Sequence, residues 1–206
     1  GTTGESATID FEDHIKLIDF FIKKSNGRVN IIAGTGANST EEALHLTREA
    51  KNLGADAALL VSPYYNKPPQ EGIFRHHAKI ADAVDIPQIL YNVPSRTASF
   101  IEPETVQRLS SHQNIIGIKD ATGDMKNLSK VLKLCEEDIK SKNFLLYSGD
   151  DFSSLEFLKK GGHGTISVTS NVVPEIISEI CQIVHSDFSK AKKLDDKLKN
   201  LNQNLF

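Results

Sequence analysis

The sequence predicts an α/β fold in which short parallel strands alternate with helices, and three features predict it. Apolar, β-branched runs recur with starts roughly 20 to 30 residues apart, the length of one strand-plus-helix unit. Each run is followed by a helical pattern carrying its own start and stop residues. The runs are apolar on consecutive residues, as in Ile115-Ile116-Gly117-Ile118, which suits a parallel sheet covered by helices rather than a half-exposed antiparallel one.

The strand candidates are residues 29–33, 57–61, 88–91, 115–119, 144–147 and 165–168. Between the first two, Ser39 and Glu42 make a capping-box pattern ahead of Ala43, Leu46, Ala50 and Leu53, and Gly54 supplies a left-handed C-terminal residue. Pro103 stands at a first-turn position before Val106 and Leu109. Asp151 opens a helix carrying Leu155 and Leu158, which Gly161-Gly162 ends. Residues 136–143 read as a surface loop, and 174–206 as two amphipathic helices with no strand between them.

Strict alternation leaves an open doubly wound sheet or a closed barrel. No GxGxxG pattern follows the first strand, and Gly34-Thr35-Gly36 alone is weak evidence for a nucleotide site. The uniform repeat favours a (β/α)8 barrel with its first strand and most of its second absent. The chain starts without Met in a loop-like stretch, Gly1-Thr2-Thr3-Gly4-Glu5, and reaches Phe206 with a helical pattern still running, so a segment of a longer chain is expected. The expected division is a partial barrel over 1–173 and C-terminal helices over 174–206, a barrel helix and then the start of a helical extension.

Composition narrows the function. The 206 residues are 39% hydrophobic and 25% charged, with a formal net charge of −3 and a pI near 6.2. A nucleic-acid or membrane-surface protein would show a basic excess, and no apolar run approaches the roughly 20 residues of a membrane span. Cys135 and Cys181 lie in helical patterns without metal-ligand spacing and read as free thiols of a reducing compartment, so a cytoplasmic protein is expected.

In a barrel of this type the chemistry gathers where the strands end. The polar residues there are Thr2, Thr3, Tyr64, Tyr65, Tyr91, Lys119 and Ser148 through Asp151: one amine, several hydroxyls, few acids and no metal cluster. Lys119 closes an apolar strand. Burial there would disfavour its ammonium form and leave an amine able to attack a carbonyl; pairing with Asp120, or reaching out to water, is the alternative. Tyr91 can exchange a proton or simply pack. Tyr64 and Tyr65 precede Asn66-Lys67-Pro68-Pro69, a turn signal that puts both rings on a loop. Thr2 and Thr3 can offer hydroxyls and N–H groups to a carboxylate, and Arg96 a bidentate fork.

The blocks Gly1-Thr2-Thr3-Gly4-Glu5-Ser6, Ser62-Pro63-Tyr64-Tyr65-Asn66-Lys67-Pro68, Tyr91-Asn92-Val93-Pro94-Ser95-Arg96-Thr97, Gly117-Ile118-Lys119-Asp120-Ala121-Thr122-Gly123, Ser148-Gly149-Asp150-Asp151 and Gly161-Gly162-His163-Gly164-Thr165-Ile166-Ser167-Val168 follow one another along essentially the whole chain. In order and spacing they resemble the signature blocks of the 4-hydroxy-tetrahydrodipicolinate synthase (dihydrodipicolinate synthase) family, Schiff-base-forming class I aldolases of the N-acetylneuraminate lyase superfamily. The resemblance implies condensation of pyruvate with L-aspartate 4-semialdehyde through an imine on Lys119, with no metal and no dissociable cofactor. It implies that Tyr91, Thr2 and Tyr65 form a proton relay, with Tyr65 reaching across a dimer interface. Thr3 would hold the pyruvate carboxylate, the Ile166 backbone would face the reacting centre, and Arg96 would bind the carboxylate of the semialdehyde. A homo-oligomer, a dimer of dimers for the complete chain, is implied as well. So is an L-lysine effector site at Ser6, Ala7, His14, Asn38, Glu42 and Tyr64, where Phe11 replaces a histidine found in some relatives and Glu42 has its capping role as the plainer reading. Sibling pyruvate aldolases, such as N-acetylneuraminate lyase or a 2-keto-3-deoxy sugar acid aldolase, share Lys119, Tyr91 and the threonine loop; an inactive fragment is the other alternative. Ala98 departs from the family glycine, a small change unless that backbone needs positive φ.

Overall fold

A computed structural model describes residues 2–205; Gly1 and Phe206, the outermost residues of the expected opening loop and final helix, lie outside that range. Two single turns of 3-10 helix, Thr2–Gly4 and Ser6–Thr8, lead into α1 (Phe11–Ser25), β1 (Ile32–Gly34), α2 (Thr40–Leu53) and β2 (Ala57–Val61). Then come α3 (Gln70–Ala83), β3 (Gln88–Asn92), the short α4 (Pro94–Thr97), α5 (Pro103–Ser110) and β4 (Ile115–Asp120). The chain continues through α6 (Met125–Leu134), α7 (Glu136–Lys140), β5 (Leu145–Ser148), α8 (Ser154–Lys159) and β6 (Gly164–Thr165) to α9 (Pro174–Ile183) and α10 (Phe188–Leu205).

The six strands lie side by side in chain order and every neighbouring pair is parallel. Alternate residues face opposite layers. On β3, Leu90 joins an outer cluster with Ile73 of α3, Val106 and Leu109 of α5 and Leu128 and Val131 of α6. Its neighbours Ile89 and Tyr91 belong to an inner cluster with Leu59, Val61, Tyr147 and Ile166. A parallel sheet in chain order with helices on one face and its own apolar filling on the other is the wall of a (β/α)8 barrel. The outer layer carries much of the stability. Leu90, Ile73, Ile115 and Leu109 are almost wholly buried, each contributing about 1.5–3 kcal/mol by burial, and Leu90→Ala would cost about 2–5 kcal/mol. β4 and β5 approach so closely that a Cβ on Gly117 would sit 2.4 Å from the Leu145 carbonyl oxygen. That is why a glycine interrupts an otherwise bulky strand. At the far end α9, which begins at Pro174, and α10 pack Ile180, Val184, Ala191 and Leu198 against Leu155 and Leu158 of α8.

Several sequence expectations are corrected. The first strand begins at Ile32, not residue 29: the Ile31 N–H bonds the Asp56 carboxylate at 2.7 Å, and Val29 lies exposed. The last strand is Gly164–Thr165, so of the expected run 165–168 only Thr165 is kept; the N–H groups of Val168 and Thr169 go instead to the Asp151 carboxylate. With its side chain committed there, Asp151 does not open α8, which starts at Ser154. Residues 136–143 are not a plain loop, since they contain α7, and Cys135 is the non-helical joint between α6 and α7. Ala98 ends α4 with φ 54°, so the glycine-to-alanine departure does meet a left-handed backbone.

Candidate active site

The strand register assembles the site. Val61 pairs with Tyr91, Tyr91 with Lys119, Lys119 with Tyr147 and Tyr147 with Gly164, so one layer near the C-terminal strand ends brings the amine between two tyrosines. The Lys119 stem runs against Gly149, where a Cβ would lie 2.6 Å from its Cε. Its Nζ sits 4.1 Å from the centroid of the Tyr91 ring. Asp120 points elsewhere, accepting from the Thr122 N–H at 2.7 Å and from Asn127 Nδ2 at 2.7 Å; the sequence alternative of a Lys119–Asp120 pair is thereby removed. Burial drives the Lys119 pKa down to about 8, with Asp151 opposing the shift and Arg96 adding to it.

The hydroxyls are only partly gathered. Thr2 Oγ1 lies 3.5 Å from Tyr91 Oη, placed by the opening 3-10 turn, while Thr3 beside it is exposed. Tyr65 is 87% exposed at φ 74°, its N–H held by the Thr97 carbonyl at 3.2 Å. Within one chain, therefore, the Thr2–Tyr91 contact forms and the Tyr65 ring faces outward. A left-handed tyrosine is a strained conformation that the surrounding loop must hold. Arg96 projects from α4, exposed, at the rim of the cleft that also takes Thr2. Ile166 packs in the Tyr91–Tyr147 cluster. Its N–H is committed to the Ser148 carbonyl at 2.8 Å.

A cleft of about 340 Å³ beside this layer is lined by Ser6, Ala7, His14, Glu42 and Tyr64, together with Thr2 and Arg96. Five of the six residues expected for an effector thus converge, and the sixth, Asn38, holds the loop by donating to the Tyr64 carbonyl at 3.3 Å. His14 is fixed by Nε2 against the Gly34 carbonyl at 2.9 Å, and burial lowers its pKa. Burial, and then the Glu42 charge, raise that of Tyr64. The Glu42 N–H donates to Ser39 Oγ at 3.4 Å, and the same residue lines the cleft. Phe11 stacks on His45, centroids 4.8 Å apart. A smaller cavity of about 20 Å³ at the barrel centre is lined by Tyr91 and Leu59 and shares Thr2, Ser6, Gly36 and Val61 with the larger one.

Sequence reasoning gave no site role to Gly149 or Tyr147, and read Asp151 as a strand-end polar residue that opens a helix. The inward direction of Tyr147 is readable from strand alternation once Lys119 is placed; the closeness of Gly149 to the lysine stem is not. Among the described residues no three His, Cys, Asp or Glu side chains converge as a metal site would, and no helix is long and apolar enough to cross a membrane.

Comparison with known proteins agrees with the fold. The chain is 52% identical over 207 residues to a 4-hydroxy-tetrahydrodipicolinate synthase of Alcanivorax borkumensis, covering all of this chain and 69% of that one. Among solved structures it is similar to the dihydrodipicolinate synthase of Acinetobacter baumannii complexed with pyruvate, at 48% identity and TM-score 0.93, over 100% of this chain and 69% of that one. It also matches the enzyme of Cyanidioschyzon merolae with lysine bound, at 36% identity and TM-score 0.93, with the same coverage. The profile of the dihydrodipicolinate synthetase family matches residues 1–206, and the chain belongs to that family.

Proposed function

We propose that this chain carries the catalytic layer of a lyase that condenses pyruvate with L-aspartate 4-semialdehyde to 4-hydroxy-tetrahydrodipicolinate, in lysine and diaminopimelate biosynthesis. The observation that carries the reading is Lys119: a poorly hydrated amine, its pKa lowered to about 8, 4.1 Å from the Tyr91 ring in a barrel layer. The neutral amine adds to the pyruvate ketone, and loss of water gives an imine. The imine withdraws electrons from the methyl carbon, which gives up a proton and becomes an enamine. The enamine carbon attacks the aldehyde of the second substrate, whose oxygen takes a proton and becomes the ring hydroxyl. The amino group of that substrate then adds to the imine carbon and displaces Lys119, closing the ring and freeing the amine.

Tyr91 and Thr2 shuttle the protons through their contact, and Tyr65, which faces away from its own barrel, completes the relay in a neighbouring copy of a homo-oligomer, a dimer of dimers. Thr3 holds the pyruvate carboxylate, the Ile166 carbonyl faces the reacting carbon, and Arg96 at the rim takes the carboxylate of the semialdehyde. The covalent imine makes a dissociable cofactor or metal unnecessary. The larger cleft suits L-lysine, with Glu42 facing its ammonium group. The low cysteine usage and acidic balance fit the cytoplasm.

Borohydride reduction in the presence of pyruvate, followed by peptide mass measurement, is the test. A reduced adduct on Lys119 is expected. An unlabelled Lys119 peptide from folded, full-length protein would end the reading. Arg96→Ala should leave that adduct intact while raising KM for the semialdehyde at least tenfold.

A further inference from the structure

The strongest unexplained feature is a buried carboxylate that takes no part in the steps above. Asp151 is 3% exposed. Its Oδ2 accepts the N–H groups of Val168 at 2.9 Å and Thr169 at 3.0 Å, the start of the turn that follows Ile166. Its Oδ1 is equally buried and has no partner. A second layer locks this arrangement from α10: Asn202 Nδ2 donates to the Asp151 carbonyl at 3.4 Å, and Thr169 Oγ1 donates to Asn202 Oδ1 at 2.6 Å. Asn202 and Thr169 are themselves 4% and 0% exposed. One clasp therefore ties together the end of β5, where Gly149 touches the Lys119 stem, the loop carrying Ile166, and the C-terminal helix.

A carboxylate serving only as a cap would be better satisfied than this one. A buried oxygen without a partner costs stability, and it leaves a negative charge whose field is little screened. Lys119 lies within that field but forms no ion pair with Asp151 within 4.0 Å. The charged and titratable groups around the amine are Tyr91 on β3, Arg96 on α4, Tyr147 on β5 and Asp151 after β5; Asp120 on its own strand is turned away toward Asn127. Asp151 is the anion among those whose charge reaches the amine, and Arg96 the cation.

We propose that Asp151 is a positioning residue for the reaction: it fixes the backbone behind Ile166 with two hydrogen bonds, presents an uncompensated charge to Lys119, and is held in register from α10 by Asn202. The proposal rests on Lys119 being the Schiff-base residue. By it, the far C-terminal helix acts on the reacting amine without touching substrate.

The experiment uses the full chain and measures the rate of borohydride-trappable imine formation with pyruvate as a function of pH. Asp151→Asn keeps an oxygen to accept both N–H groups and removes the charge. The acid limb of the profile is expected to move to lower pH by about one unit, the order of shift that loss of one nearby opposite charge produces. An unmoved limb overturns the proposal while leaving the imine reading intact. Absence of any adduct in the unsubstituted protein overturns both. Thr169→Val keeps the charge and cuts only the link to Asn202. It should raise the pyruvate KM several-fold with the limb in place, and an unchanged KM overturns the proposal even if Asp151→Asn does not accumulate as folded protein.

Discussion

Gly149→Ala isolates how tightly the barrel holds its amine. The added Cβ would lie 2.6 Å from Lys119 Cε and 3.0 Å from both Lys119 Cγ and the Ala121 Cβ. Carbon atoms rest comfortably at about 3.5–4.0 Å. Ala121 follows β4 directly and cannot rotate away, so the lysine stem must move by about 1 Å. Displacement of a reacting group by that distance costs about 100-fold in rate, equivalent to about 2.7 kcal/mol of activation free energy at 1.36 kcal/mol per tenfold. The global fold should suffer less, because the clash is relieved by a side chain in a layer open toward the strand ends. Single-turnover trapping of the pyruvate adduct reads the first step, and kcat/KM the whole reaction, with thermal unfolding as the check on integrity. Imine formation within twofold of the unsubstituted protein would show that the glycine is not what sets the lysine position.

Three further outcomes are expected. Imine formation should fall about tenfold for each pH unit below about 8, because burial lowers the Lys119 pKa to that value and only the neutral amine attacks; a flat rate between pH 6 and 8 would contradict a single titrating amine. Ala98→Gly should stabilise the protein by about 1 kcal/mol in urea unfolding, since φ 54° is strained for alanine and free for glycine. Acid should destabilise the fold through α3. His76, bonded through Nδ1 to Thr40 at 2.8 Å, and His77, with neither ring nitrogen partnered, are buried neutral; burial lowers His76 from 6.5 to about 4 and holds His77 well below the usual histidine value. The unfolded chain binds these protons first, so the contribution is intact above about pH 6.5 and is lost as pH falls toward 4. For His76 alone it amounts to about 3 kcal/mol. Urea midpoints at pH 7.5 and 5 test it, and His77→Leu should flatten the difference.

Much of this architecture was legible before any coordinates. Strand 57–61 falls where its apolar run lies, and the Ser39 and Gly54 caps bound α2 as their chemistry requires. The misplaced strand ends share one cause, a distant side chain taking a backbone group. The Asp56 carboxylate shortens β1 at its start, and Asp151 takes two N–H groups that residues 168 and 169 would otherwise give to a strand. Neither is visible in local periodicity, which reports what a segment prefers and not what reaches it from elsewhere. At the site, Lys119 and Tyr91 could be read as strand-ending polar residues in apolar runs. The closeness of Gly149, where an added Cβ would lie 2.6 Å from Lys119 Cε, depends on how two strands sit against each other, and sequence spacing does not encode it.

The two cavities have a common wall at Thr2, Ser6, Gly36 and Val61. Thr2 is also the residue whose hydroxyl meets that of Tyr91. Whatever fills the outer chamber thus leans on Thr2, and in the proposed proton relay its presence would be transmitted by direct touch, without any domain having to swing. A guest there would slow turnover more than it weakens substrate capture, and its influence would be strongest on the steps that wait for a proton.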